Sequence, residues 1–298
     1  MADGNSVINL GDLSKPATVL IEKVSAAVGI VFEPHRVKRM ARAEAEAEKI
    51  KALAKIELSD IEHRAIERLV AQEARKQENI ENITAQAASH LPPEADVQAL
   101  DEDWVAHFFK QCDTVSDKEM QSIWSRLLSG EATKPGTYSK RTVDFVSTMD
   151  KSDAELFTKL CSFAWMIGAV IPLVLNVSHE IYAKNGITFQ SLKHLDAIGL
   201  ISYESTSGYR RMGLSKHVGV FYYGRPTWLE FEADENDLNV GSVLLTSIGS
   251  ELFSLSGSRS NDEFYDYILN AWSEKNIILS SPLIRKSASP SSGNGEKI

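Results

Sequence analysis

Two different helical patterns occupy the first ninety residues. In residues 17–32 apolar side chains recur every three or four positions, which predicts a short apolar helix. Glu33-Pro34 then predicts a break, because a residue that precedes proline avoids the helical conformation. Residues 35–89 contain no Pro or Gly, and 41–54 consists almost wholly of strong helix formers. We therefore expect a tail and short helix over 1–32 and a long charged helix over 33–90.

An apolar seam with coiled-coil-like spacing runs along the long helix. Its members are Ala54, Leu58, Ile61, Ala65 and Leu69. Such a seam needs a partner, which is either another copy or, if Ser59-Asp60-Ile61-Glu62 is a capping box that starts a second helix, the same chain. A solvated helix docked on its own domain is the remaining alternative. We expect a homo-oligomer.

Residues 91–150 predict a helical middle domain. Asp101, Ser116 and Ser139 are the expected N-caps of three helices, because short polar side chains bind the free amides of a first turn. Gly130 is the predicted end of the second of these helices. Apolar residues at helical spacing, such as Trp124, predict its core.

Two arginines in this domain are candidate ligand or clamp residues. Arg126 and Arg141 each lie beside apolar core positions. Arginine forms two-pronged bonds with carboxylates, so each is expected to hold Glu131 or a backbone carbonyl as a structural clamp, with ligand binding as the alternative.

The stretch from 160 to 177 is the most apolar part of the chain. Between Lys159 and His179 there is no charged residue, and the length alone would admit a membrane span. Gly168 and Pro172 interrupt the run, and a basic flank that would set the orientation of a span is absent. We expect a core helix followed by a short buried strand at 172–177.

Residues 151–285 predict a winged-helix-like α+β domain, followed by a disordered tail over 286–298. Residues 187–201 predict an amphipathic helix that ends at a glycine and enters a strand. Two strands are predicted at 218–223 and 228–231, and 243–252 predicts a strand entering a capped helix. The predicted fold class is mainly α with a small β component, with a long N-terminal helix, a helical middle domain and this C-terminal domain.

Composition places the protein in an intracellular setting. The 298 residues are 43% hydrophobic and 24% charged, with a formal net charge of −9. Two cysteines cannot build a disulfide framework and no signal peptide is recognised, which favours a cytoplasmic location. Residues 33–82 are balanced, with 11 basic and 11 acidic side chains, whereas 201–225 has a local charge of +3. The acidic total argues against indiscriminate binding of nucleic acid.

Two basic clusters are candidate binding surfaces. The first is expected to bind a protein partner, with the phosphates of a nucleic acid or a merely solvated surface as the alternatives, and comprises Arg210, Arg211, Lys216, Tyr222 and Arg225. The second could rest on an anionic membrane surface peripheral to the inner membrane, or be a solvated basic turn, and comprises Arg36, Lys38, Arg39 and Arg42.

Recognisable catalytic chemistry is missing from the sequence. We find no phosphate-binding loop, dinucleotide fingerprint, paired-cysteine zinc spacing or zincin helix. No cofactor or metal is therefore expected, and the sequence favours a non-enzymatic protein, although a nucleophile assembled only in three dimensions stays open.

The middle of the chain resembles an uncharacterised bacterial domain-of-unknown-function family. The matching motifs are Asp101-Glu102-Asp103-Trp104, Ser116-Asp117-x-Glu119-Met120-Gln121, Trp124, Leu127-Leu128, Gly130-Glu131, Pro135-Gly136, Ser139-x-Arg141-Thr142 and Asp153-Ala154-Glu155-Leu156-Phe157. The resemblance extends from Lys15-Pro16 to about Leu279 and implies no catalytic residue. The middle block is also similar, more weakly, to alpha-type abortive-infection proteins, which implies a role in phage defence.

Three functional hypotheses follow. The first is an assembly and recognition protein of anti-phage defence that self-associates through its long helix and docks a protein partner. The second is a membrane-directed effector that uses Ala17–Phe32 or Leu160–Val177. The third is a winged-helix regulator that binds nucleic acid.

Overall fold

A computed structural model describes residues 14–29 and 60–281. Within these residues the protein is mainly α with a small β component, as predicted. They form two compact units, one comprising the described residues up to Ala154 together with Glu251–Leu255, the other comprising Glu155–Ser250 and the described residues from Ser256 onward. The predictions for residues 30–59 and for the tail 286–298 lie outside the described residues.

The first unit is helical. Its elements are α1 (Lys15–Val28), α2 (Asp60–His90), a 3₁₀ turn (Val97–Ala99), α3 (Glu102–Cys112), α4 (Lys118–Thr133) and α5 (Lys140–Thr148). The helix α6 (Lys151–Cys161) leads into the second unit. Aromatic rings form the centre of the core, where Phe108 lies 5.2 Å from Trp124 edge to face and stacks on Trp104 at 5.1 Å.

Capping side chains set the starts of these helices. Asp101 accepts a hydrogen bond from the Trp104 amide at 2.6 Å, and Ser139 caps α5 through the Thr142 amide, so both predicted caps are confirmed. The predicted cap Ser116 is wrong, since Asp117 accepts the amides of Glu119 and Met120.

The predicted end of α4 at Gly130 is also wrong, because the helix continues to Thr133. The ring of Tyr138 lies so close to Gly130 that an added Cβ would stand 2.7 Å from its Cε2 atom. The glycine is therefore required for close packing inside the unit and does not end the helix.

The short apolar helix is shorter than predicted and buried on one side. Ser14 caps α1, and Gly29 ends it in the left-handed conformation with φ of 68°. Leu20 and Val24 are fully buried where α1 packs on α2 and α3. These apolar side chains stabilise the first unit and are not available to a lipid surface.

The second unit combines one five-stranded sheet with two small two-stranded sheets and several short helices. Its strands are β1 (Ala164–Ile167), β2 (Ala169–Pro172), β3 (Ile201–Tyr203), β4 (Tyr209–Leu214), β5 (His217–Tyr222), β6 (Arg225–Glu230), β7 (Asn236–Gly241), β8 (Val243–Leu245) and β9 (Ile278–Ser280). Its further helices are α7 (Glu180–Ala183), α8 (Phe189–Ala197) and α10 (Asp262–Ser273), while α9 (Ser247–Phe253) ends in the segment that belongs to the first unit.

The strands of the second unit are all paired antiparallel. The large sheet has the order β2-β1-β5-β6-β9, and the two small sheets pair β3 with β8 and β4 with β7. The predicted helix that ends at a glycine and enters a strand is confirmed by α8, Gly199 and β3. The predicted strand pair at 218–223 and 228–231 is confirmed by β5 and β6.

Residues 164–172 of the apolar run form the β1–β2 hairpin, so the predicted core helix is wrong. The predicted strand at 172–177 is also wrong, since β2 ends at Pro172. Ile167 pairs with Ala169 across Gly168, whose φ of 72° suits a glycine at a tight reversal. A short apolar run bounded by Gly and Pro fits a buried strand as well as a helix. The apolar pattern alone therefore could not distinguish the two, and the helix was the wrong choice. No helix among residues 14–29 and 60–281 is long and apolar enough to cross a membrane.

Candidate functional site

The C-terminal half of α2 is buried in the first unit. Ile80, Ile83 and Ala87 are 5%, 0% and 0% exposed, and they form one face of the helix. The buried Asn79 side chain donates to the Asp113 carbonyl at 2.8 Å and accepts from Gln121 Nε2 at 3.1 Å. Apolar burial and a satisfied polar network therefore fix this half of the helix.

The same face of α2 is exposed in the N-terminal half. Ile80 and Ala87 lie eleven and eighteen residues after Leu69, which at 3.6 residues per turn is almost three and five whole turns. Leu69 nevertheless is 56% exposed, and Ile61 is 71% exposed. The predicted seam residues Ile61, Ala65 and Leu69 are thus a solvent-exposed apolar face, which we call the α2 face. Its predicted continuation at Ala54 and Leu58 lies outside the described residues.

An ion-pair cluster marks the change from exposed to buried helix. Lys76 Nζ lies 3.1 Å from Glu73 Oε1 and 3.5 Å from Asp113 Oδ2. The hydrogen bond with Glu73 and the charge of Asp113 raise the pKa of Lys76. The cluster lies where α2 leaves the body of the first unit.

The basic residues predicted from 201–225 do not share one hairpin. Arg210 and Arg211 lie on β4, which pairs with β7, whereas Arg225 begins β6 of the large sheet. Lys216 lies between β4 and β5. Acidic residues from distant parts of the sequence lie close to these cations. The net charge of residues 201–225 alone does not include them.

Acidic neighbours offset several of these cations. Arg225 lies 2.6 Å from the Asp262 carboxylate, and Arg210 lies 4.0 Å from Asp237. The backbone amide of Lys216 donates to Asp234 at 2.7 Å, which brings that carboxylate beside the lysine. This mixture of signs is less suited to binding phosphates than the sequence suggested.

Tyr222, the aromatic member of the predicted surface, is fully buried. Its hydroxyl donates to the Ser162 carbonyl at 2.6 Å and accepts from the Asn261 amide at 2.7 Å. Burial raises the pKa of Tyr222 to about 12. The residue stabilises the core and does not present its ring to a partner.

The two faces of the large sheet differ. One face is buried against α10, where Trp165 stacks on Tyr265 at 5.5 Å and meets Trp272 edge to face at 4.9 Å. The opposite face, which we call the open sheet face, exposes Met166, Phe221, Trp228 and Ile278 by 44%, 47%, 51% and 63%. This surface was not predicted from the sequence. The available signal was β5, where Phe221 breaks the alternation by adding an apolar side chain between Val220 and Tyr222.

The predicted arginine clamp on Glu131 is wrong. The buried Glu131 carboxylate accepts the amides of Gly136 at 2.6 Å and Tyr138 at 2.7 Å, so it holds the turn between α4 and α5. Burial raises the pKa of Glu131, and the hydrogen bonds from these amides partly offset that effect. Arg126 instead donates to the Ser122 carbonyl at 3.2 Å, as the predicted carbonyl alternative allows, and Arg141 is exposed.

Both thiols lie in protein cores. Cys112 and Cys161 are 0% exposed. Burial raises the pKa of Cys112 well above its usual value and that of Cys161 to about 12. Each is therefore protonated at neutral pH and poorly suited to act as a nucleophile. Within the described ranges no group of three His, Cys, Asp or Glu side chains could hold a metal ion.

The candidate membrane surface of Arg36, Lys38, Arg39 and Arg42 lies outside the described residues. It stays a prediction, as do the cytoplasmic location, the winged-helix likeness and the setting in phage defence.

Comparison with known proteins gives one relationship. No curated protein and no solved structure matches the chain, so the likeness to abortive-infection proteins has no further support. A family model described as "Protein of unknown function (DUF2806)" matches residues 63–269, a narrower range than the predicted 15–279. The predicted kind of family is thereby confirmed, and the chain belongs to this family of unknown function.

Proposed function

We propose that this protein is a non-enzymatic assembly and recognition protein that self-associates through the α2 face. The observation that carries the proposal is the helical phase of α2. The side of the helix that buries Ile80 and Ile83 inside the unit is the side on which Ile61 and Leu69 are exposed nearer its N-terminus. An exposed apolar side of a helix is typical of an interaction surface.

The charges around the α2 face favour a protein surface over a lipid or a nucleic acid. Arg64 and Arg68 border one side of the face, while Glu62 lies within it and Glu67 lies beyond its other border. This mixture of signs is less suited to an anionic lipid or a phosphate backbone than to a protein surface of mixed charge. We infer that the face is covered by a second copy of the chain.

The burial of both thiols supports the non-enzymatic part of the proposal. A nucleophilic cysteine needs an accessible thiolate, and the raised pKa values of Cys112 and Cys161 oppose thiolate formation.

The second candidate, a nucleic-acid-binding regulator, is less well supported because Asp237 and Asp262 stand beside Arg210 and Arg225.

Light scattering coupled to size exclusion tests the proposal. The wild-type chain should be oligomeric at micromolar concentration. Leu69→Glu should weaken association at least tenfold, which is about 1.4 kcal/mol, since a charge would be buried in the interface. Ala71→Glu is the matched control, because it places the same charge on the opposite side of the same turn.

Circular dichroism should show that both variants keep the wild-type helix content, since both positions are exposed. A wild-type chain that stays monomeric at these concentrations would contradict the proposal. So would a Leu69→Glu variant that associates as strongly as Ala71→Glu.

A further inference from the structure

The open sheet face is a second exposed apolar surface on the same chain. Its exposed side chains lie on four neighbouring strands, because β1, β5, β6 and β9 are adjacent in the sheet. Met166 pairs with Phe221, and Glu230 pairs with Ile278 at the far side. At about 4.8 Å between strands, the row spans about 14 Å.

This width is enough to cover the α2 face. From Ile61 to Leu69 the helix rises over eight residues, or about 12 Å at 1.5 Å per residue. The apolar part of α2 therefore has the length that the apolar part of the sheet can cover.

A glycine leaves room on the open sheet face for its largest side chain. Gly219 pairs with Trp228, and a Cβ at Gly219 would stand 3.2 Å from the indole ring. The indole consequently lies against the backbone of β5 with half of its surface exposed. A flat aromatic surface of this kind can pack against the side of a helix.

The two surfaces carry complementary charges at their borders. On β6, Glu230 lies two residues after Trp228 and so points to the same side of the sheet, and the exposed residue Glu232 follows just after the strand ends. The α2 face is bordered on one side by Arg64, Arg68 and Arg75, which the helical period places in one row. Opposite charges at the rim select a partner and its orientation.

We propose that the α2 face of one copy docks on the open sheet face of a second copy. The inference rests on the proposed function, since it names the surface that covers the α2 face. The two faces in contact are different, so the association is head to tail. Each junction leaves one α2 face and one open sheet face free at its ends, and assembly continues until a ring closes or a filament forms.

Mixing two variants tests the docking. Leu69→Glu removes the helix side of the junction, and Trp228→Ser removes the sheet side. Each variant alone should be a monomer by light scattering. An equimolar mixture should form a one-to-one dimer, because one chain supplies an intact sheet and the other an intact helix, and only one junction is possible.

Met212→Ser is the matched control for the sheet variant, since Met212 is also an exposed apolar strand residue, with 72% exposure on β4. It should associate as the wild type does. Thermal unfolding of Trp228→Ser should stay cooperative, which excludes misfolding as the cause of lost association.

Two outcomes would overturn this inference and leave the proposed function standing. The first is a Trp228→Ser variant that associates like the wild type, which would favour pairing of α2 with α2. The second is a mixture of the two variants that remains monomeric although each is folded. A monomeric wild type would instead overturn both proposals.

Discussion

The two halves of α2 carry the same apolar face in opposite surroundings. Around Ile83 the face is fully buried, whereas around Leu69 more than half of the side chain is exposed. The two halves share one helical phase, and the polar residues Gln72, Glu73 and Lys76 separate them. A helical apolar pattern therefore predicts which side of a helix is covered, and does not say whether its own chain covers it.

The largest expected difference between the halves is in stability. Ile83→Ala should lower the free energy of unfolding by about 2–5 kcal/mol, because it leaves a cavity in the core. Leu69→Ala should change it by less than about 0.5 kcal/mol, since the side chain is exposed. Urea denaturation at submicromolar concentration, where association contributes little, compares them. Equal losses for the two variants would show that the exposed half is buried in the monomer.

A polar substitution in the buried half should have an intermediate effect. Asn79→Ala should cost about 1–3 kcal/mol, because it leaves the Asp113 carbonyl and the Gln121 side chain without one partner each. Gln72→Ala, on the exposed half, is the matched amide control and should leave the urea midpoint nearly unchanged. If Asn79→Ala is as mild as the control, the network does not anchor α2.

The smallest expected effect concerns the ion pairs at the boundary. The pKa of Lys76 is raised above its ordinary value of 10.5, so its contribution to stability is present below pH 10.5 and is lost as the pH rises through the raised value. The difference in thermal midpoint between wild type and Lys76→Gln should be small and constant from about pH 8 to 10. It should then vanish at higher pH. A difference in thermal midpoint that grows as the pH rises above 10 would contradict this prediction.

Local signals in the sequence predicted two of the three expected N-caps in the middle domain. Asp101 and Ser139 cap their helices as expected, because an N-cap depends only on residues within one turn. Ser116 failed as a cap because its neighbour Asp117 competes for the same amides, and the Ser116 hydroxyl instead accepts from Asn79. Which of two adjacent candidate residues becomes the N-cap depends on the direction in which the preceding loop enters the helix, and the sequence does not give that direction.

Surfaces were harder to predict than elements, because they combine distant parts of the chain. The positive charge of Arg225 is offset by Asp262, which is 37 positions away in sequence and 2.6 Å away in the fold. The open sheet face joins Met166 to Phe221, whose proximity follows from the pairing of β1 with β5. Such pairings are set by tertiary packing and leave no periodic trace in a single sequence.

The position of Trp228 over Gly219 gives the protein a built-in optical probe. Of its five tryptophans, Trp104, Trp124, Trp165 and Trp272 are at most 4% exposed, and Trp228 alone is half exposed. A water-soluble collisional quencher should therefore act almost entirely on the fluorescence of one indole. Any molecule that covers the open sheet face would shield that emission, so occupancy can be followed in solution without a label.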